Sequence, residues 1–317
     1  MSLALALTLY AAALAFIGGV TWRVWVWAGT PEPFRIPTTS GQQRSLAGIE
    51  ASRVESPSTR AGVVGRMCLE VFLFRSLFRN TGHAGTPAGQ GVNPGLIFPE
   101  RKALWLGAMA LHWSLLVIVV RHLRLFVDPI PRVVTALAVA DGFFEAGSPT
   151  WYVTDVVVVA ALGYLLFRRL RDPLLRYLTL PADYVALAAL MAVVGTGILL
   201  RYVVRVDFVA ARGYALGLAA FAPAGLPAPG IWVAAHLLSV SFLLAILPFS
   251  KMIHAAGVWL SPTRNQPNDS RRRRHVNPWN APVPVHGYGA WQEEFRDKLV
   301  AAGLPIDEAL RDGPPPA

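Results

Sequence analysis

Four of the seven histidines lie inside two long apolar stretches, residues 103–126 and 230–260. The four are His112, His122, His236 and His254. Polar side chains are costly in such segments, so an ionisable residue there is a candidate for function. Neutral imidazole is a good ligand for iron, and an iron porphyrin held between two histidines has no open position for substrate and carries electrons. The four residues are therefore predicted to be axial haem ligands.

The spacing of these histidines predicts two pairs. Ten residues separate the first two and eighteen the last two, which is about 15 Å and about 27 Å along an α-helix. In antiparallel helices His112 lies opposite His254 and His122 opposite His236, with the pair midpoints about 21 Å apart. Eighteen residues are five whole turns but ten are about 2.8, so the pairs must approach differently. Pro248 is expected to kink the second helix. The distance of about 21 Å between the pair midpoints suits two haems, one above the other in the membrane.

Other interpretations of the histidines remain open. In one interpretation the four histidines are hydrogen-bonded side chains within the membrane. In another they relay protons or bind a metal ion in a non-redox transporter or membrane anchor. Those interpretations predict no haem. The arrangement of four histidines in two antiparallel-compatible pairs favours haem ligation over both.

Three arginines lie at segment ends that are predicted to reach the same side of the membrane as His122. Arg121 and Arg124 flank that histidine, and Arg201 lies near the end of another apolar segment. The forked donors of arginine suit carboxylates, so these residues are candidates for holding haem propionates. The alternative is that they snorkel to the membrane interface.

The composition is that of a polytopic membrane protein, with 54% hydrophobic and 15% charged residues. Five apolar segments are predicted to cross a bilayer core of about 30 Å. They are residues 3–26, 103–126, 150–167, 182–203 and 230–260. The expected fold is an all-α bundle of five transmembrane helices.

Basic residues alternate between the connecting segments. Segments 27–102, 168–181 and 261–317 contain 21 Lys or Arg, whereas 127–149 and 204–229 contain three. The positive-inside rule then puts the N-terminus on the periplasmic side and the C-terminus in the cytoplasm of a protein of the cytoplasmic membrane.

The predicted organisation has four parts. They are a first transmembrane helix (1–26), a cytoplasmic loop with an amphipathic helix over 63–78 (27–102), a four-helix haem-binding core (103–260), and a cytoplasmic docking tail with a short helix over 291–302 (261–317). The basic residues behind the net charge of +10 lie mostly in the segments that are predicted to be cytoplasmic. Arginines 271–274 suit anionic lipid headgroups, so nucleic acid is not expected.

Cys68 is the only cysteine of the chain. It cannot form an intramolecular disulfide, a C-x-x-C-H haem attachment or a cysteine-bound iron–sulfur cluster within this chain, so any haem must be non-covalent. Walker, G-x-G-x-x-G and G-x-S-x-G motifs are also missing from the sequence, which excludes the usual nucleotide sites and the hydrolase nucleophile elbow.

With five spans and four histidines in place, the chain resembles the cytochrome b gamma subunits of respiratory nitrate reductases. In that family the second span supplies two haem b ligands ten residues apart and the fifth supplies two eighteen apart, as the histidines do here. Over nearly its whole length the chain also resembles the DsrM family of the Dsr transmembrane complex of dissimilatory sulfur metabolism. The stretches that carry this closer resemblance are 75–80 (RSLFRN), 140–144 (ADGFF), 248–252 (PFSKM), 260–265 (LSPTRN) and 275–280 (HVNPWN).

This resemblance implies two non-covalent haem b groups, an exchangeable quinone and a cytoplasmic iron–sulfur partner like DsrK. Further expected partners resemble DsrP, DsrO and DsrJ. The chain would be the electron-transfer subunit of a quinone-linked oxidoreductase complex and not itself a catalyst toward sulfur compounds. A nitrate reductase gamma subunit, with a molybdenum-enzyme partner, is the redox alternative.

Overall fold

The computed structural model is predominantly helical, which confirms the expected fold class. It describes residues 2–30, 53–79, 102–145, 149–223, 225–261, 264–268 and 287–307. In chain order the helices are α1 (Ser2–Ala28), α2 (Arg60–Leu73), α3 (Arg75–Phe78), α4 (Lys102–His122), α5 (Arg132–Asp141), α6 (Val153–Arg171), α7 (Pro173–Leu178), α8 (Pro181–Ile198), α9 (Phe208–Ala219), α10 (Gly230–Ile246), α11 (His254–Gly257), α12 (Tyr288–Glu294) and α13 (Arg296–Ala301).

Four of these regions are long and apolar enough to cross a membrane. They are Leu3–Ala28, Lys102–Leu125, Pro181–Val204 and Gly230–Phe249. They correspond to four of the five predicted spans. The remaining segment, 150–167, forms most of α6, which is 19 residues long and carries three arginines in its last turn. A fifth crossing by α6 stays a prediction.

The long helices pack side by side in the order α4, α6, α8, α10 and α1. Buried residues of α4 and α6 form one apolar core, against which α8 also packs. They are Leu111, Val158, Ala161 and Leu162. A second core joins α1 to α9, where the Tyr10 hydroxyl donates a hydrogen bond of 2.8 Å to the Leu218 carbonyl oxygen. These cores hold the helices that carry the histidines.

The predicted helix over 230–260 is not continuous. After α10 the chain makes a 3-10 turn at Leu247–Phe249, becomes extended at Ser250, and continues in short turns through α11. Pro248 has no amide hydrogen to donate, so it ends the regular helix and confirms the predicted kink. The distance of about 27 Å for eighteen residues of helix therefore does not apply between His236 and His254.

The bend at Pro248 packs closely against α1. A Cβ atom added at Gly19 would lie 2.7 Å from the Pro248 Cβ, so this contact requires a glycine. Beyond the bend, Trp27 at the end of α1 lies beside Gly257 of α11. The end of α1, the bend and α11 are thus held at one end of the bundle.

The amphipathic helix expected over 63–78 is present as α2 and α3, with a sharp corner between them at Phe74. The backbone amide of Asn268 donates a hydrogen bond of 2.7 Å to the carbonyl oxygen of Pro57, which ties the start of the tail to the segment before α2. The short helix expected over 291–302 is present as α12 and α13. The stretches 271–274 and 275–280 lie outside the described residues.

The opposite end of the bundle contains a small sheet that the sequence did not predict. Strand β1 (Gly142–Phe144) pairs antiparallel with β2 (Trp151–Tyr152). The sheet connects α5 to the start of α6 and brings Tyr152 next to the end of α4.

Candidate functional site

The rings of His112 and His254 are in edge-to-face contact at one end of the bundle. Their centroids are 5.8 Å apart and their planes make an angle of 72°. Two imidazoles bonded at about 2 Å on opposite sides of one metal ion would have centroids about 6 Å apart. The pair therefore has the separation that one bis-histidine iron requires, and the predicted pairing of these two residues fits the structure.

Three of the four histidines bond to the backbone of their own helix or turn through Nδ1. The acceptors of His112, His122 and His254 are the carbonyl oxygens of Ala108, Ile118 and Lys251, at 2.8, 2.7 and 2.8 Å. A carbonyl oxygen only accepts, so Nδ1 carries the proton in each case and Nε2 keeps its lone pair. An oriented imidazole with a free Nε2 is the state in which histidine binds a metal ion.

His236 reaches the same state through α8. Its Nδ1 lies 2.9 Å from the Thr196 hydroxyl, which in turn donates to the carbonyl oxygen of Ala192 at 2.6 Å. A Cβ atom at Gly197 would lie 3.3 Å from the His236 Cε1, so the absence of a side chain there lets the ring approach α8. His236 and His122 are close enough to interact electrostatically. Of the two predicted pairs, His112 and His254 are in ring contact, whereas His122 and His236 are related only by an electrostatic interaction.

Arg121, one of the three predicted propionate contacts, is buried and paired with acidic residues. Its guanidinium contacts the carboxylates of Asp141 at 3.2 Å and Asp155 at 2.6 Å. The Tyr202 hydroxyl also donates to Asp155, at 2.7 Å. These carboxylates already use the forked donors of Arg121.

Arg124 and Arg201 form no carboxylate ion pair with the residues that the structure describes. Arg201 comes from a π-helical turn at Leu199–Val204 and lies 4.2 Å over the Tyr152 ring, while Arg124 Nη1 is 3.5 Å from the hydroxyl of the same tyrosine. Arg121 covers that ring too, at 3.7 Å. Three arginines and the carboxylates of Asp141 and Asp155 therefore lie at this end of α4, with one net positive charge.

Sequence reasoning missed three residues of this site. Thr196 was detectable as a hydroxyl between two glycines in an apolar span, the place where a polar group is most costly. Asp141 and Tyr152 gave no such signal, because only the sheet between α5 and α6 brings them to Arg121.

The residues present fit haem at two levels. Oriented imidazoles with free Nε2 atoms lie at both levels, and arginines without a carboxylate partner in the described part of the chain lie next to one of them. Within the described residues, no three His, Cys, Asp or Glu side chains are grouped as a protein-bound metal ion would need.

Comparisons with known proteins identify similar chains. The profile of the nitrate reductase gamma subunit family matches residues 68–266, which include all four histidines and all three arginines. The chain is 40% identical over 290 residues to the Hdr-like menaquinol oxidoreductase cytochrome b-like subunit of Archaeoglobus fulgidus, covering 88% of this chain and 84% of that protein. The subunit of the same description from Archaeoglobus profundus is 38% identical over 282 residues, covering 85% and 81%.

Proposed function

This chain belongs to the nitrate reductase gamma subunit family, and on that premise we propose that it is a dihaem cytochrome b subunit. It carries electrons across the membrane between quinone and an iron–sulfur protein on the cytoplasmic side. The observation that carries the proposal is the His112–His254 pair, with centroids 5.8 Å apart and both Nδ1 atoms bonded to carbonyl oxygens.

In this proposal His112 and His254 hold the inner haem, and His122 and His236 hold the outer one. When bound, a bis-histidine haem supplies a one-electron carrier with no open coordination position. The protein's part is to fix each imidazole through its Nδ1 bond, which sets the ring orientation and raises ligand basicity. Thr196 performs this task for His236.

We assign the propionates of the outer haem to Arg124 and Arg201. Arg124 lies two residues after His122, and Arg201 lies over the ring of Tyr152, whose hydroxyl Arg124 contacts. Both arginines are half-buried and have no carboxylate partner among the described residues. Arg121 was predicted for the same role, but its two ion pairs favour a structural one. Its contribution to propionate binding stays a prediction.

The proposed topology has five crossings. The start of α6 is joined to the end of α4 by the Arg121–Asp155 ion pair, and its other end leads to α7 and α8. At 1.5 Å per residue its 19 residues extend about 28 Å, and the arginines of its last turn can snorkel to the interface. The basic loops then lie in the cytoplasm and the N-terminus outside the cytoplasmic membrane.

The similar archaeal proteins are described as menaquinol oxidoreductase subunits, which favours a quinone as the membrane partner of this chain too. A quinol oxidised at the outer haem releases its protons outside while its electrons move inward.

Within the family we assign the chain to the DsrM type, with a DsrK-like iron–sulfur subunit and DsrP-, DsrO- and DsrJ-like subunits as partners. The competing assignments are a nitrate reductase gamma subunit and a non-redox membrane anchor.

The first test is a reduced-minus-oxidised spectrum of the purified chain with haem quantified per chain. Two b haems are expected, and His236→Ala and His254→Ala should each leave one. A well-folded chain without haem would refute the proposal.

Menaquinol and ubiquinol analogues then test which quinone reacts. Addition of quinol to proteoliposomes should acidify the external medium if charge is separated. Co-purification of an iron–sulfur or a molybdenum protein separates the two redox assignments.

A second test isolates the role of Thr196. Thr196→Val removes the hydroxyl that holds His236 and should shift the midpoint potential of the outer haem or lower its occupancy, leaving the inner haem unchanged. Ser239→Ala is the matched control, because Ser239 lies on α10 with His236 and its hydroxyl bonds to the carbonyl oxygen of Ala235 instead. Equal effects of the two substitutions would argue against the assigned role.

A further inference from the structure

We propose that Phe74, in the corner between α2 and α3, is a positioning residue for His112, so that these two surface helices complete the inner haem site. The inference rests on the proposed function, in which His112 is a haem ligand. Phe74 lies outside the candidate membrane spans, and we expect it to influence the properties of that haem.

The contact itself is a ring contact at nearly a right angle. The centroids of Phe74 and His112 are 5.0 Å apart and their planes make an angle of 84°. Edge-to-face contacts of this kind have a preferred geometry, so each ring limits rotation of the other. The Nδ1 bond of His112 to Ala108 fixes the imidazole on one side, and Phe74 limits it on another.

Phe74 can make this contact because its backbone is left-handed, with φ 48° and ψ 46°. Few residues other than glycine adopt this conformation without a surrounding structure that holds it. The amide of Phe74 donates to the carbonyl oxygen of Leu69 and closes the end of α2. The chain then turns at once into α3.

Two acidic side chains hold the corner immediately after Phe74. Glu55 accepts hydrogen bonds from Arg75 Nε at 3.1 Å and Nη2 at 2.7 Å. Glu70 accepts a hydrogen bond of 3.0 Å from the amide of Ser76 and another from the Ser76 hydroxyl. Both neighbours of Phe74 on its C-terminal side are therefore anchored by side chains.

Two tryptophans of α4 hold the other side of the corner. Trp105 Nε1 donates to the carbonyl oxygen of Leu73 at 2.8 Å, and Trp113 Nε1 donates to that of Phe72 at 3.1 Å. Because Trp113 adjoins His112 in sequence, the helix that carries the ligand also fixes the residues that precede Phe74. The corner and the ligand form one unit.

The test measures each haem separately in the full-length chain, by redox titration and by the electron paramagnetic resonance signal of the oxidised form. Phe74→Gly removes the ring and suits the left-handed backbone, so the corner can persist. We expect a shifted potential and an altered signal for the haem that His254→Ala removes, and no change for the other haem. Axial-ligand orientation and surroundings are what the protein uses to tune such a haem.

Phe78→Leu is the matched control. Phe78 belongs to α3 and packs edge-on against Trp105, with centroids 5.0 Å apart, and among the described residues the ring contacts of His112 are with Phe74 and His254. This variant should leave both haems unchanged. If Phe74→Gly yields no folded protein, Phe74→Leu decides by the same readings.

The inference is overturned if the Phe74 variants leave both haems unchanged, if they shift both haems alike, or if Phe78→Leu has the same effect. The unmodified chain separates this failure from that of the proposed function. Absence of haem there defeats the function itself, whereas two haems with silent Phe74 variants defeat the inference alone.

Discussion

Replacing Arg121 by methionine should destabilise the whole protein and not merely alter one haem. Arg121 is 5% exposed, and its guanidinium lies 3.2 Å from the carboxylate of Asp141 and 2.6 Å from that of Asp155. Without it, two carboxylates stay in a buried environment with no counterion. Breaking a buried ion pair in this way costs about 3–5 kcal/mol. For a chain of this size that corresponds to a decrease in Tm of roughly 5–8 °C.

The assay is thermal unfolding in detergent, followed by tryptophan fluorescence and by haem absorbance. Arg124→Met is the matched control, since Arg124 is half-buried and forms no carboxylate ion pair within the described residues. We expect it to change the outer haem with little effect on Tm. Adding Asp141→Asn and Asp155→Asn to the Arg121 variant should restore most of the stability, because a neutral set replaces the unpaired charges.

The opposite result would refute this reasoning. If Arg121→Met changes the Tm by less than about 1 °C and shifts only the potential of the outer haem, the ion pairs contribute little to stability. The sequence-based prediction that Arg121 holds a propionate would then be correct. Recovery of the Tm when Asp141→Asn and Asp155→Asn are added to Arg121→Met distinguishes the two roles. A role of Arg121 in binding a propionate would not produce that recovery.

Gly19→Ala should destabilise the protein by about 1–3 kcal/mol, because its Cβ would lie 2.7 Å from Pro248, whereas Gly18→Ala meets no atom within 4 Å; thermal unfolding compares the two. An impermeant maleimide should label the exposed Cys68 in inside-out vesicles and not in right-side-out ones, and the reverse would invert the proposed orientation. Burial alone would raise the pKa of Glu55, but hydrogen bonds and charges from two arginines outweigh it and lower that pKa. The stabilisation from the Glu55 carboxylate is therefore complete at neutral pH and lost as the pH falls below the usual glutamate range. Acid titration of tryptophan fluorescence should show this loss in the unmodified chain but not in Glu55→Gln.

The histidine pairing could be predicted from sequence because it depends on helical rise and chain direction. Helix α4 is regular from Lys102 to His122, so the ten-residue spacing translates directly into distance. The eighteen-residue spacing does not, since the chain departs from α-helix after Ile246. A proline indicates that a helix is disturbed, but the conformation of the following residues depends on what they pack against.

The partners of the arginines could not be predicted in the same way. Asp141 and Asp155 lie 20 and 34 residues after Arg121 and come from two different helices. Their position depends on the two-stranded sheet between those helices, and that sheet has too few residues to give a period-two pattern. The left-handed backbone of Phe74 was hidden for a related reason. The usual sequence signal for that conformation is Gly or Asn.

The two proposed haem sites differ in how their ligands are held. His122 and His236 lie on regular helices, and Thr196 joins the second of them to a third helix. His254 follows the break at Pro248 and lies in short turns, where its orientation depends on the Lys251 carbonyl oxygen. Lys251 is in turn paired with Asp183 of α8 at 2.7 Å. His112, opposite it, is in contact with a surface corner. A protein that docks at this end would therefore move the surroundings of the inner ligands more readily than those of the outer ones, and we expect its binding to shift the inner haem first.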